Sequence, residues 1–199
     1  MSLIEEGFLE RNKKIIIIAV AIFLIAFIAG AVISNMLIGD NYGLISKKLS
    51  ELPANETTGK IDLGISTFDL FVHNLAVDLL VIVGGVFFSI ISIAITAFNG
   101  FSIGTPLGTD FKFAMTSILP HSIFEYSSTV IALIIAFIIT KLVISMIKTR
   151  SFRGILNESK TELKDILVLF IVMVILVFIA AVIEVNITPA IVNSVFGLK

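Results

Sequence analysis

Twenty-four consecutive residues, 15–38, carry no charged side chain. As a helix rising about 1.5 Å per residue they reach about 36 Å, enough to cross a hydrocarbon layer about 30 Å thick with some tilt. Arg11, Lys13 and Lys14 stand directly before the run. A secretory signal shares a basic start and an apolar stretch. This stretch is longer than a typical signal core and no small-residue cleavage site follows Ile38, so a retained anchor is expected.

The rest of the chain repeats the pattern. Its 199 residues include 14 basic and 15 acidic side chains, and 57% are apolar. Mean hydropathy is +1.10. A soluble domain is about half apolar and about a quarter charged, and one of this length has too little interior for so many apolar groups. The net charge of −1 leaves no electrostatic footprint for nucleic acid. The absence of cysteine excludes disulfides, thiolate metal sites and cysteine nucleophiles.

The charges mark the topology. Six lie in 1–14, nine in 39–78, three in 99–125, nine in 141–165 and two in 184–199. The gaps predict spans at about 15–38, 68–98, 123–147 and 166–183. Between 39 and 66 lies a polar loop with a short helix expected near 42–52 and a glycosylation triplet, Asn55-Glu56-Thr57. Ser66 or Thr67, with Asp69, is placed to cap the second stretch, and Gly84-Gly85 permits a kink or a close helix contact.

Residues 141–165 hold six basic and three acidic groups, whereas 39–78 hold three and six. Basic loops favour the cytoplasm, which places the N-terminus and loop 148–165 inside and loop 39–66 outside. Four spans would put 148–165 on the wrong side. A fifth passage through 101–119 restores the parity. That segment holds Gly104, Pro106, Gly108, Asp110 and Lys112, so it is expected to be short, irregular and shielded by protein. A re-entrant dip with four full crossings is the alternative. The expected fold is all-α: one integral membrane domain over 1–199, a polytopic helical bundle of about five crossings, the third short and irregular.

Leu119-Pro120-His121-Ser122-Ile123-Phe124-Glu125 opens the fourth span. His121 and Glu125 share a helix face and have the chemistry for metal binding, proton relay or acid–base work. The competing reading is a capping box, with Ser122 as N-cap and Glu125 reaching back to its amide. A second polar set, Asp69, His73, Asn74 and Asp78, contains two pairs four residues apart. It reads as an exposed helix end, or as a source of ligands beside His121 and Glu125. Asn99-Gly100 with Gly104 and Gly108 permits close helix approach or forms a loop, and Asn99 is placed to cap the second span. No Walker loop or nucleophile elbow is present, and no catalytic residue, resident metal or cofactor is assigned.

Asn74, Asn99-Gly100 with Gly104, and Pro120-His121-Ser122-Ile123-Phe124-Glu125 together resemble the signature of the stage II sporulation protein M family. Order and approximate spacing agree over about residues 68–140; Ser122 stands where the family usually has Gly. The resemblance implies a non-enzymatic, multi-pass prokaryotic membrane protein. It would act as a scaffold for other membrane or cell-envelope proteins, with homo-oligomers admissible. Beside it stands a small transporter or channel component that uses a broken helix and the His121/Glu125 pair. The expected location is the plasma membrane.

Overall fold

The computed structural model describes residues 7–38, 66–150, 154–155 and 158–196. Loop 39–65, with the helix expected near 42–52 and the Asn55 triplet, lies outside the described residues, as does part of loop 148–165. Among the described residues there is no β-strand, and five helical segments are long and apolar enough to cross a membrane.

The elements are α1 (Phe8–Ile38), α2 (Thr67–Gly84), α3 (Ile90–Thr109), α4 (Leu119–Thr149), α5 (Lys160–Asn186) and a short α6 (Thr188–Phe196). Large apolar side chains such as Ile25, Leu37, Leu80, Ile90 and Ile175 point outward. That is the arrangement a lipid-facing surface requires. The core is a thin column of Val81, Leu133, Ile135, Ile138 and Met173.

The directions of the helices follow from their contacts. Gly100 faces Phe23, Gly104 faces Phe27 and Gly108 faces Ala31, so α1 and α3 run parallel. Asp78 meets Thr129, Gly85 meets Ala136 and Ser89 meets Thr140, so α2 and α4 are parallel too. Helix α5 opposes both: His121 pairs with Glu184 and Lys141 with Glu162, while Asn186 reaches Thr67. Five alternating passages result. One end of the bundle carries Arg11, Lys141 and Lys148 and is called the basic end. The other carries Thr67, His121 and Glu184 and is called the α6 end.

Apolar burial does not drive helix pairing inside lipid; close packing and hydrogen bonds do. The α1–α3 contact shows both. A Cβ on Gly100, Gly104 or Gly108 would collide with α1 backbone. Ser34 Oγ donates to Thr105 O at 2.9 Å, and Asn35 Nδ2 donates to Gly108 O at 3.2 Å. Of the two readings of these glycines, the structure supports close approach. Asn99 and Pro106 lie inside a regular helix, so Asn99 is not a cap.

Two expectations are corrected. The stretch 68–98 is not one span. It turns back at Gly85–Phe87, Phe88 and Ser89, the last two with φ of 56° and 57°. Gly85 lets this turn press against Ala136, where a side chain would strike backbone. Carbonyls freed by the turn find hydroxyls: Ser92 Oγ donates to Val81 O at 2.6 Å and Thr140 Oγ1 to Gly85 O at 2.7 Å. Ser89 and Thr140 hydroxyls meet at 2.7 Å, so Ser89 is the donor there.

The third crossing is therefore α3, a regular helix, and not an irregular passage over 101–119. Irregularity is confined to the connection that follows. Asp110 Oδ1 accepts from Phe113 N at 2.9 Å, starting one turn at Phe111–Phe113. A π-turn, Ala114–Ile118, then leads straight into α4. Ser66 does cap α2, accepting from Asp69 N at 3.1 Å.

Candidate functional site

Asp69 stays in the first turn of α2, where Ser66 Oγ also donates to its Oδ2 at 2.6 Å, and it takes no part in a site. Further along the helix His73 is still exposed, Asn74 is half-buried and Asp78 is buried. His73, Asn74 and Asp78 line a cavity of about 200 Å³ with Asn99, Ser102 and Glu125, and with Ser128 and Thr129 of α4. Asp78 stands eleven residues from the start of α2, about 16 Å along it at roughly 1.5 Å per residue. That is about midway along the 21-residue apolar segment Thr67–Phe87.

Asp78 is 2% exposed. Thr129 Oγ1 donates to its Oδ1 at 2.9 Å, whereas its Oδ2 has no hydrogen-bond partner. A carboxylate at this depth is costly unless it is compensated, and such groups mark ion or substrate pathways or helix–helix glue. The reading of 69–78 as a solvated helix end thus holds for Asp69 and fails for Asp78. The helix does not project; it turns back early, which draws Asp78 inward.

The Pro120 motif is built differently from the capping box. Helix α4 is continuous with the π-turn, Pro120 lies in its first turn, and the N-cap position, Ile118, makes no side-chain cap. Ser122 is buried inside the helix and donates to Ile118 O at 2.5 Å. With no helix end at Ser122, Glu125 has no free cap amide to reach.

His121 is 7% exposed. It faces neither Asn74 nor Asn99. Its Nε2 lies 3.6 Å from Glu184 Oε2, and its Nδ1 lies 3.5 Å from Thr188 Oγ1. One ligand atom each from His121, Glu125 and Glu184 falls within 4.8 Å of the others. Glu125 therefore belongs to two neighbourhoods, the cavity and the His121 cluster. His73 belongs only to the cavity, so a site uniting both histidines is not formed.

Sequence reasoning missed Glu184, Thr188, Ser128 and Thr129. Glu184 carried a signal: it is the lone acidic residue after Asp165, at the end of an otherwise uncharged span. Gly100 and Gly104 serve the α1 contact and not the cavity.

A bundle of five crossings with carboxylates and amides around a chamber at mid-depth defines a polytopic membrane protein with a polar interior. Residues 19–189 match the model of the family described as stage II sporulation protein M. The chain belongs to that family. It is similar to an uncharacterized protein of Methanocaldococcus jannaschii, with 29% identity over 182 residues, 88% of this chain and 94% of the relative. No solved structure matches it.

Proposed function

We propose that the protein is a non-enzymatic assembly component of the prokaryotic plasma membrane that holds partner proteins in place. Family membership supports this reading, because the resemblance to stage II sporulation protein M implies a scaffold role. The observation that carries it is the way α1 is fixed to α3. Three glycines admit α1 backbone, and two side chains of α1 donate to α3 carbonyls. An interface with so little slack resists the sliding that alternating access demands and suits a rigid platform. Its partners would be other membrane or cell-envelope proteins or further copies of the chain. The N-terminus would be cytoplasmic, with the basic end inside. Affinity purification from native membrane after mild crosslinking is expected to recover a stoichiometric partner. Isolation of the chain alone across several mild detergents would count decisively against a scaffold.

A second reading, a small transporter or channel component, is favoured by the cavity. A chamber at mid-depth with Asp78 and Glu125 in its wall is the kind of place where transported ions pause. On this reading, Glu125→Gln abolishes a cation or proton flux in proteoliposomes. Absence of flux from the wild-type protein for proton, sodium, potassium and magnesium would remove it.

A further inference from the structure

Three groups gather at the α6 end, and two of them, His121 and Glu184, lie outside the cavity. His121 and Glu125 sit one helical turn apart on one face of α4, and Glu184 approaches from the antiparallel α5. We propose that His121, Glu125 and Glu184 bind one divalent transition-metal ion of the zinc class, tying the start of α4 to the end of α5.

One imidazole nitrogen and two carboxylate oxygens form a ligand set suited to zinc, with a fourth position left for water or a partner's group. Metal bonds of about 2.1 Å at tetrahedral angles set ligand atoms about 3.4 Å apart. His121 and Glu184 already stand at 3.6 Å, and the widest separation in the trio, within 4.8 Å, closes by rotation of flexible glutamate side chains. The imidazole is oriented for the task. Its Nε2 faces Glu184, and its Nδ1 faces Thr188 Oγ1 at 3.5 Å, the outer contact that fixes a ligating histidine's tautomer.

Charge argues the same way. Two carboxylates on adjacent helices repel at this range, and one imidazolium can offset only one of them. A divalent ion offsets both. The excess is larger still because Glu125 also lines the cavity where the buried Asp78 keeps an oxygen without a hydrogen-bond partner. Binding would fasten α6 as well, since Thr188 begins it and its Phe196 packs under Lys112 beside the π-turn.

The test is a zinc titration of the full chain, purified in detergent and stripped of metal, against a chromophoric chelator. Cobalt(II) absorption reports the coordination. About one ion per chain is expected, with visible bands of a four- or five-coordinate cobalt site. His121→Gln and Glu184→Gln are each expected to weaken binding by more than about tenfold, whereas His73→Gln leaves it unchanged. Zinc should raise the unfolding midpoint of the wild type and not of Glu184→Gln. Glutamine keeps the size and polarity of both side chains, and metal-free unfolding curves check that the variants fold. Should they not fold, the wild-type cobalt spectrum decides. No binding, no such bands in the wild type, or undiminished zinc affinity in the two folded variants would overturn the site. The result is independent of whether a partner or a flux is found.

Discussion

At the scale of the residue, Asp78 shows how a membrane chain disposes of a charge it keeps. One oxygen takes the Thr129 hydroxyl and the other is buried without a hydrogen-bond partner. Hydrogen bonds between membrane helices contribute about 0.6 kcal/mol on average and up to about 1.7. Thr129→Val keeps shape and removes the donor. It is expected to lower stability by about 1 kcal/mol, measured by steric trapping or detergent unfolding, and Asp78→Asn in that background should recover part of the loss. No change in either variant would mean that the pair contributes nothing. His73, Asn74 and Asp78 were legible as a polar set because they recur one turn apart on an otherwise apolar helix. Their destination was not legible, because it depends on where α2 ends. The capping box failed for a related reason. Ser122-x-x-Glu125 has the right spacing, but a local pattern cannot tell whether a helix has already begun, and here the π-turn carries it through.

Among elements, the α1–α3 pair carries the clearest energetic claim. Gly104 lies where α1 passes so closely that a Cβ would meet Phe27 and Ala31 backbone. Gly104→Val must push the helices apart, with loss of the Ser34 and Asn35 bonds to α3 carbonyls. The expected cost is about 3 kcal/mol, at the upper end for overpacking because backbone cannot yield as a side chain does. The same measurement reads it, and Val at the lipid-facing Ile90, exposed on the same helix, should cost far less. Glycines four apart announced a close contact in the sequence but did not say whether the segment was helix or loop. Asn99 and Pro106 pulled that reading toward loop. The α2–α3 turn was hidden for the opposite reason: it uses Phe88 and Ser89 in left-handed conformation where Gly or Asn is usual. Only Gly84-Gly85 hinted at it. Hydroxyls from α3 and α4 satisfy the turn, and the one on α4, Thr140, lies 55 residues beyond Gly85 in sequence.

For the whole molecule, the count of crossings survived an error in where they begin. The charge asymmetry between 39–78 and 141–165 demanded an odd number of passages, and parity holds wherever the third passage is drawn. Parallel α1–α3 and α2–α4 pairs with an opposed α5 give that odd number in the structure. The basic end gathers Lys141 and Lys148 with Arg11, whose side chain is bonded to Asp165 at 2.8 Å. This arrangement predicts sidedness. The chain has no cysteine, so single substitutions can be labelled on a clean background with an impermeant maleimide. Glu10→Cys and Lys148→Cys, both exposed at the basic end, should react only after the membrane is opened. Ala190→Cys in α6, exposed at the far end, should react in intact cells. The inside–outside assignment rests on the positive-inside tendency, so reversed labelling of all three would invert the orientation and leave the fold intact. Lys148 and Ala190 reacting from the same side would instead mean that α5 does not cross between them, which its antiparallel packing on α4 does not permit.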